Sequence, residues 1–144
     1  MGLNIQKDEV IFIDTAPLIY YMENHPIHGE KLDFFIQLVE EGFQQWVTSF
    51  ITCVEVLTRP RRDKNWALER KYLEFISKDF LFRVVQTTPE IMMQSVHFRA
   101  EYGFKTPDAI QLATAQVCEA DVVITNDRAW KKVKELHVVT LDEL

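Results

Sequence analysis

Residues 10–15, Val-Ile-Phe-Ile-Asp-Thr, and residues 122–127, Val-Val-Ile-Thr-Asn-Asp, carry the same pattern: a short β-branched apolar run that ends in acids and hydroxyls. Runs this short and this continuously apolar read as strands buried on both faces, the condition of a parallel sheet covered by helices. Val10 to Ile13 is the first such strand and Asp14 stands at its carboxyl end. Thr15 and Pro17 follow as a helix start, with Thr15 as cap and Pro17 in the first turn, and His25 and Pro26 close that helix. Val122 to Thr125 is the matching strand near the other end, followed by Asn126, Asp127 and a short basic helix through Lys134.

The segments between them alternate in kind. Leu32, Phe35, Ile36 and Val39 recur at helical spacing, Gly42 supplies a stop, and Trp46 to Thr48 predict a second strand. Ser49 caps a helix that carries Ile51, Val54 and Leu57 on one face, holds Glu55 in its second turn, and is expected to end before Pro60. A helix from Trp66 to Ile76, a strand from Phe80 to Val85, and a helix opened by Thr88 and Pro89 and ended by Gly103 come next. Thr106 and Pro107 repeat the opening device for a helix from Asp108 to Cys118, and His137 to Leu141 predicts a last strand. Strands alternating with helices imply an α/β fold with a mostly parallel, doubly wound sheet, whose ligand crevice lies at the carboxyl ends of the strands.

At 144 residues, with no internal repeat, low-complexity tract or Gly/Ser linker, residues 1–144 read as one domain. Hydrophobic residues at 47% and charged residues at 26% exclude a disordered or fibrous chain. Cys53 and Cys118 sit far apart among apolar neighbours, which suits free thiols in a reducing compartment. No apolar run approaches the ~20 residues of a membrane span, and the opening MGLNIQKDEV lacks the layout of a secretory signal. Gln6 stands where a myristoylation motif after Gly2 wants Ser or Thr. The expectation is a cytoplasmic protein with no membrane contact. A net charge of −6 argues against a general nucleic-acid coat protein, so contact with a polyanion needs a local basic patch or bound cations.

Asp14 and Asp127 each follow a strand and should share the crevice rim, and Asp108 starts a helix that begins at the same rim. Glu55, one turn further into its helix, has the longer side chain to reach it. Each has a modest explanation by itself: an Asx-turn at Asp14, a solvated helix position at Glu55, a helix-dipole acid at Asp108, an N-cap at Asp127. Together they would repel and raise one another's pKa unless cations offset them. Carboxylate oxygens without Cys or His select Mg²⁺ or Mn²⁺, and two such ions ~3.5–4 Å apart can serve displacement at phosphorus.

With these residues in view, the chain resembles the PIN-domain family, and in size and layout its VapC-like toxin branch, over nearly its whole length. VIFIDT looks like the family's strand-plus-Asp opening, with Asp14 as first acid and Thr15 beside it. SFITCVEVL resembles the Ser-to-Glu helix, with Ser49 and Glu55; TPDAIQLATA the third-acid helix, with Asp108; and VVITND the final strand, with Thr125 and Asp127. The resemblance implies a PIN-like parallel sheet flanked by helices in three α/β/α layers. It further implies an Mg²⁺- or Mn²⁺-dependent endoribonuclease that acts on RNA, homodimerisation, and in toxin members a cognate antitoxin. Asp14, Glu55, Asp108 and Asp127 would then be catalytic and metal-binding, with Thr15, Ser49 and Thr125 orienting them. Ala16 departs from the pattern, standing where many members carry a polar residue such as Asn.

Arg59, Arg61, Arg62 and Lys64 form a basic cluster past the Glu55 helix. Phosphate contact by Arg59, Arg61 and Arg62 and a merely solvated loop with Asp63 as partner stand about level. His25, His28, His97 and His137 lack the tight spacing of a zinc site, and Trp66, Tyr72, Leu73 and Ile76 have the spacing of core or of a dimer seam. Two other functions compete. A phosphatase with Asp14 as nucleophile wants an acid two positions on, where Ala16 stands. A catalytically weak PIN-like module would keep the fold and bind protein or RNA.

Overall fold

Alternate residues of the central strands enter two separate cores, and this alternation makes the molecule three layers deep. The structure is a computed structural model that describes residues 9–42, 44–78 and 82–144. Strands β1 (Glu9–Ile13), β2 (Gln44–Ser49), β3 (Phe82–Val85), β4 (Val122–Thr125) and β5 (Val138–Thr140) form one sheet in the order β3-β2-β1-β4-β5. Every neighbouring pair is parallel, with Phe12 opposite Val47 on one side and Val123 on the other.

Ile11, Ile13, Trp46, Val122 and Ile124 point into one core. There they meet helices α1 (Thr15–Met22), α2 (Gly29–Glu40), α3 (Phe50–Arg62) and α4 (Trp66–Ile76) through Leu18, Phe35, Val56 and Phe75. Phe12, Val47 and Val123 point the other way, against α5 (Pro89–Tyr102), α6 (Thr106–Val117) and the 3₁₀ turn Arg128–Lys132, through Phe98, Leu112 and Trp130. The fold is the expected three-layer α/β/α arrangement. Burying a side chain of this size is worth about 1.5–3 kcal/mol, so the continuously apolar strands are what tie both helical layers to one sheet.

The order of the strands positions the site. From the central β1 the chain steps outward to β2 and β3, then returns to place β4 on the opposite side of β1. The crevice at that reversal opens at the carboxyl ends of β1 and β4.

Several boundaries differ from the sequence reading. Asp14, not Thr15, caps α1: its side chain accepts from the Thr15 backbone N–H at 2.7 Å, which makes Thr15 the first helical residue. Thr106 likewise lies inside α6 instead of capping it; Lys105 holds the cap position without a side-chain bond, and the Thr106 hydroxyl accepts from Arg99 at 2.8 Å. Ser49 and Thr88 do cap α3 and α5.

Helix α3 does not end before Pro60 but runs on to Arg62. A proline interior to a helix forfeits one hydrogen bond, and here the stretch is held by burial of Pro60 and by a firm stop beyond it. Lys64 takes a left-handed φ of 55°, and the N–H groups of Lys64 and Asn65 return to the carbonyls of Arg61 and Pro60 at 3.1 and 2.8 Å. The face that α3 buries is also rotated from the Ile51, Val54 and Leu57 stripe: Thr52, Val56 and Pro60 are inside, and Val54 is 48% exposed. The Trp66 to Ile76 stripe divides as well, with Tyr72 buried and Trp66 and Leu73 exposed.

The last strand is Val138–Thr140, shorter at each end than expected, and the basic helix is a 3₁₀ turn that stops at Lys132. Residues 80 and 81 of the expected third strand, and residues 2 and 6 of the lipidation reading, lie outside the described residues. Among the described residues no helix is long and apolar enough to cross a membrane.

Candidate active site

The site begins with the end of β1. Backbone pairing carries on one residue past the strand, where the Asp14 N–H donates to the Ile124 carbonyl at 3.0 Å, so Asp14 is pinned against the end of β4. Its carboxylate is then held from three sides. The Thr125 hydroxyl donates to Oδ2 at 2.8 Å, while Oδ1 accepts from the Thr15 N–H at 2.7 Å and from Gln111 Nε2 at 3.2 Å. The Thr125 hydroxyl oxygen in turn accepts from the Asp127 N–H at 3.1 Å, which brings the fourth acid to the same rim.

Helix α3 delivers Glu55. The Thr15 hydroxyl lies 3.2 Å from Glu55 Oε1 and 3.3 Å from the Thr52 hydroxyl, so one threonine at the start of α1 spans the gap to α3. Helix α6 delivers Asp108 in its first turn, where the helix N-terminus favours an anion. Asp127 Oδ1 accepts from the Ala129 N–H at 2.9 Å, so this acid does cap the following 3₁₀ turn while facing the site.

The electrostatics show that the acids share one neighbourhood. Burial pushes the Asp14 carboxyl up from 3.8 to about 6, the Thr125 and Thr15 hydrogen bonds pull it back, and the charges of Asp108 and Glu55 add to the rise. Glu55 is raised by burial and by Asp108, against the Thr15 bond. Asp108 is raised by burial and by Asp127, with Lys105 opposing. Like charges gathered without a cation produce this pattern.

Among the described residues, however, no three His, Cys, Asp or Glu side chains stand as a closed ligand set. The acids are near enough to feel one another and are not drawn into a cage. The donor set of carboxylates and hydroxyls fits a hard, oxygen-seeking cation such as Mg²⁺ or Mn²⁺, whose coordination is completed in large part by water.

Two residues of the site went unread in the sequence. Gln111 is 1% exposed and bonds Asp14, Thr15, Thr52 and Ser49; Thr52 is fully buried beneath it. The available signal was a lone amide in the apolar run Ala-Ile-Gln-Leu-Ala, three residues after Asp108 and so on the same helix face. In the basic cluster each arginine has a carboxylate: Arg59 meets Glu23 at 2.7 Å, Arg61 meets the buried Glu69, and Arg62 lies 3.6 Å from Asp63. His25 and His28 pack with Tyr20, and His97 lies 3.9 Å from Glu135.

The sequence pattern of the family described as PIN domain matches residues 11–136. The chain belongs to that family. This PIN domain is similar to one chain of a toxin-antitoxin complex from Klebsiella pneumoniae, with 28% identity, a TM-score of 0.71, and coverage of 93% of this chain and 99% of that one. It also shares its fold with a chain of VapBC2 from Rickettsia felis bound to a promoter DNA fragment, at 15% identity and TM-score 0.74 over 91% of this chain and 98% of that one. VapC20 of Mycobacterium tuberculosis, a Sarcin-Ricin loop cleaving toxin, matches at 15% identity and TM-score 0.65 over 88% and 98%. The fold is thus that of VapC-like PIN proteins. No curated protein matches this PIN domain in sequence.

Proposed function

We propose that this PIN domain is an Mg²⁺- or Mn²⁺-dependent endoribonuclease, the toxin of a toxin-antitoxin pair that acts in the cytoplasm. The observation that carries the proposal is the meeting of Asp14, Glu55, Asp108 and Asp127 at the reversal between β1 and β4, with three of the carboxyls raised by burial and by one another. A surface kept acidic for stability alone would spread or pair these charges. Membership of the family and the named neighbours, one of which is a Sarcin-Ricin loop cleaving toxin and others of which are toxin-antitoxin or VapBC complexes, support the same reading.

In this site Asp14, Glu55, Asp108 and Asp127 would hold the cation. When bound, it supplies positive charge against the phosphate and acidifies a water. Thr125 and Gln111 turn the two oxygens of Asp14, and Thr15 turns Glu55. A carboxyl that takes a proton near pH 6 must give it up to hold a cation, so ion and proton compete at Asp14.

Partners have surface available. A groove of about 530 Å³ between α3 and α4 is lined by Val54, Leu57 and Leu73 with Arg61 and Arg62 at its edge. Helix α5 exposes Met92, Met93 and Val96. A protein antitoxin and a second copy of the chain would cover faces of this kind. Of the three arginines, Arg62 is freest to meet RNA phosphate, since Arg59 and Arg61 would first have to leave Glu23 and Glu69.

Cleavage of labelled RNA by purified protein in Mn²⁺, in EDTA, and by Asp14→Asn tests the proposal. Metal-dependent cutting that Asp14→Asn loses is expected; full cutting in excess EDTA overturns it. A catalytically weak module that binds protein or RNA is the second reading, favoured by Ala16, which stands where the family pattern often carries a polar residue beside the first acid. RNA binding without cleavage in Mn²⁺ would establish it.

A further inference from the structure

Beneath the four acids lies a polar layer that the chemistry of the rim does not by itself require. Gln111 sits in the middle of α6, a helix whose other buried residues are Ala109, Leu112, Ala113, Thr114 and Ala115. A primary amide in such a place costs free energy unless its hydrogen-bonding groups are met. Here both ends are met. The Ser49 hydroxyl donates to the amide oxygen, and Nε2 lies 2.7 Å from the Thr52 hydroxyl, 3.2 Å from Asp14 Oδ1 and 3.2 Å from the Thr15 hydroxyl.

With its partners Gln111 joins three helices. Asp14 and Thr15 open α1, Ser49 and Thr52 open α3, and Gln111 belongs to α6, the helix that carries Asp108. The ionised Asp14 carboxylate, which only accepts, sets the direction of donation: the amide nitrogen faces it and the amide oxygen faces Ser49. Ser49 Oγ also accepts from the Ile51 N–H at 3.1 Å, so its one proton is free to donate to the amide oxygen. That leaves the amide's two protons to face Thr52, Asp14 and Thr15. Thr15, held by Gln111, has its own hydroxyl proton free for Glu55 Oε1 at 3.2 Å. The chain of donors therefore runs from a capped hydroxyl, through one buried amide, to two carboxylates of the rim.

We propose that Gln111 is a positioning residue of the site: its amide orients the Asp14 carboxylate and, through Thr15, that of Glu55, so that both acids present oxygens to one divalent cation. This rests on the metal-dependent reading above and adds to it a residue outside the acids. Groups that orient metal ligands typically cost 10–100-fold in affinity or activity when removed. Gln111→Met keeps the length and loses the amide. Thr52→Val removes the 2.7 Å partner of the same amide and leaves its bond to Asp14 possible.

The experiment uses the full chain and measures Mn²⁺ affinity by electron paramagnetic resonance, RNA cleavage as separate kcat and KM, and the folded fraction by circular dichroism at the assay temperature. Folded Gln111→Met should bind Mn²⁺ roughly 10–100-fold more weakly and lose kcat in a similar ratio, with KM for RNA near wild type. Thr52→Val should lose melting temperature with a much smaller change in Mn²⁺ affinity. Ser49→Ala, which unclamps the amide oxygen, should shift both Mn²⁺ affinity and kcat in the direction of Gln111→Met, by less. Wild-type Mn²⁺ affinity and kcat in folded Gln111→Met overturn the proposal. Should that variant fail to fold, wild-type values in Ser49→Ala do so. If wild type itself neither binds Mn²⁺ nor cuts RNA, or if Asp14→Asn matches it in both, the endoribonuclease reading falls and takes this one with it.

Discussion

The two ends of α3 carry opposite charges, and the protein treats them differently. At the amino end Glu55 faces a rim of further acids, and its polar partner among the described residues is the neutral Thr15 hydroxyl. At the carboxyl end Arg59, Arg61 and Arg62 each find a carboxylate, one of them buried, in the turn where the helix dipole already favours cations. Charge that is compensated serves the fold. Charge gathered against its own kind is kept at a cost, and the cost marks the end of the helix where chemistry is to be expected.

The largest effects should come from the uncompensated end. Asp14→Asn is expected to abolish RNA cleavage and Asp108→Asn to do the same, with Asp127→Asn less harmful because one oxygen of Asp127 is engaged as a cap. A gel assay with Mn²⁺ reads this directly. Equal cleavage by Asp14→Asn and wild type would erase the contrast between the two ends.

Next in size is the compensated end. Arg61→Ala leaves Glu69 buried without its guanidinium and should cost about 1–3 kcal/mol in denaturant unfolding. Cleavage by the folded protein should persist. Loss of cleavage with no loss of stability would move Arg61 from the fold to the function.

Repulsion at the rim should also be visible without substrate. Asp108→Asn removes one of the charges and should raise the melting temperature in EDTA while removing most of the shift that Mn²⁺ produces, whereas Asp33→Asn, exposed on α2, should change neither. A lower melting temperature with the Mn²⁺ shift intact would make Asp108 an ordinary helix-start acid.

The pH dependence follows from Asp14. Between pH 3.8 and about 6 the folded, metal-free chain keeps a proton there that the unfolded chain has released. Its contribution to stability is full below 3.8 and is lost as pH rises through about 6. Glu55 and Asp108 are shifted in the same direction and add to the slope. Urea unfolding in EDTA across this range should therefore show a decline that Asp14→Asn flattens, and Mn²⁺ affinity should weaken as pH falls below about 6. The smallest change is expected for Arg62→Ala, within about 0.5 kcal/mol of wild type. If Arg62 does contact RNA phosphate, its removal reduces the salt slope of binding by about 1.

Local chemistry explains which elements were readable. The strands at Val10 to Ile13 and Val122 to Thr125 announced themselves because a strand buried on both faces has no polar position to blur it. Asp14 and Asp108 were readable as candidates by their places at a strand end and a helix start. Helix α3 was misread at Pro60 because the rule that proline ends a helix weighs one lost hydrogen bond, and cannot weigh a buried ring and the left-handed stop at Lys64. Its apolar stripe misled for a related reason: Val54 and Leu57 line a surface groove, and the helix turns inward Thr52, which meets the Gln111 amide.

The sequence alone determined the alternation of buried strands and helices, the acids at strand ends and helix starts, and so the family, because these depend on the chemistry of neighbours along the chain. Tertiary structure alone decided that Gln111, three residues past Asp108, lies against Asp14 and Ser49, 97 and 62 positions away. It also decided which charges were paired, giving Arg59 to Glu23 across 36 residues. Hydrogen bonds and ion pairs act over a few ångströms, and which groups come within that range is settled only when the sheet brings distant segments to one edge.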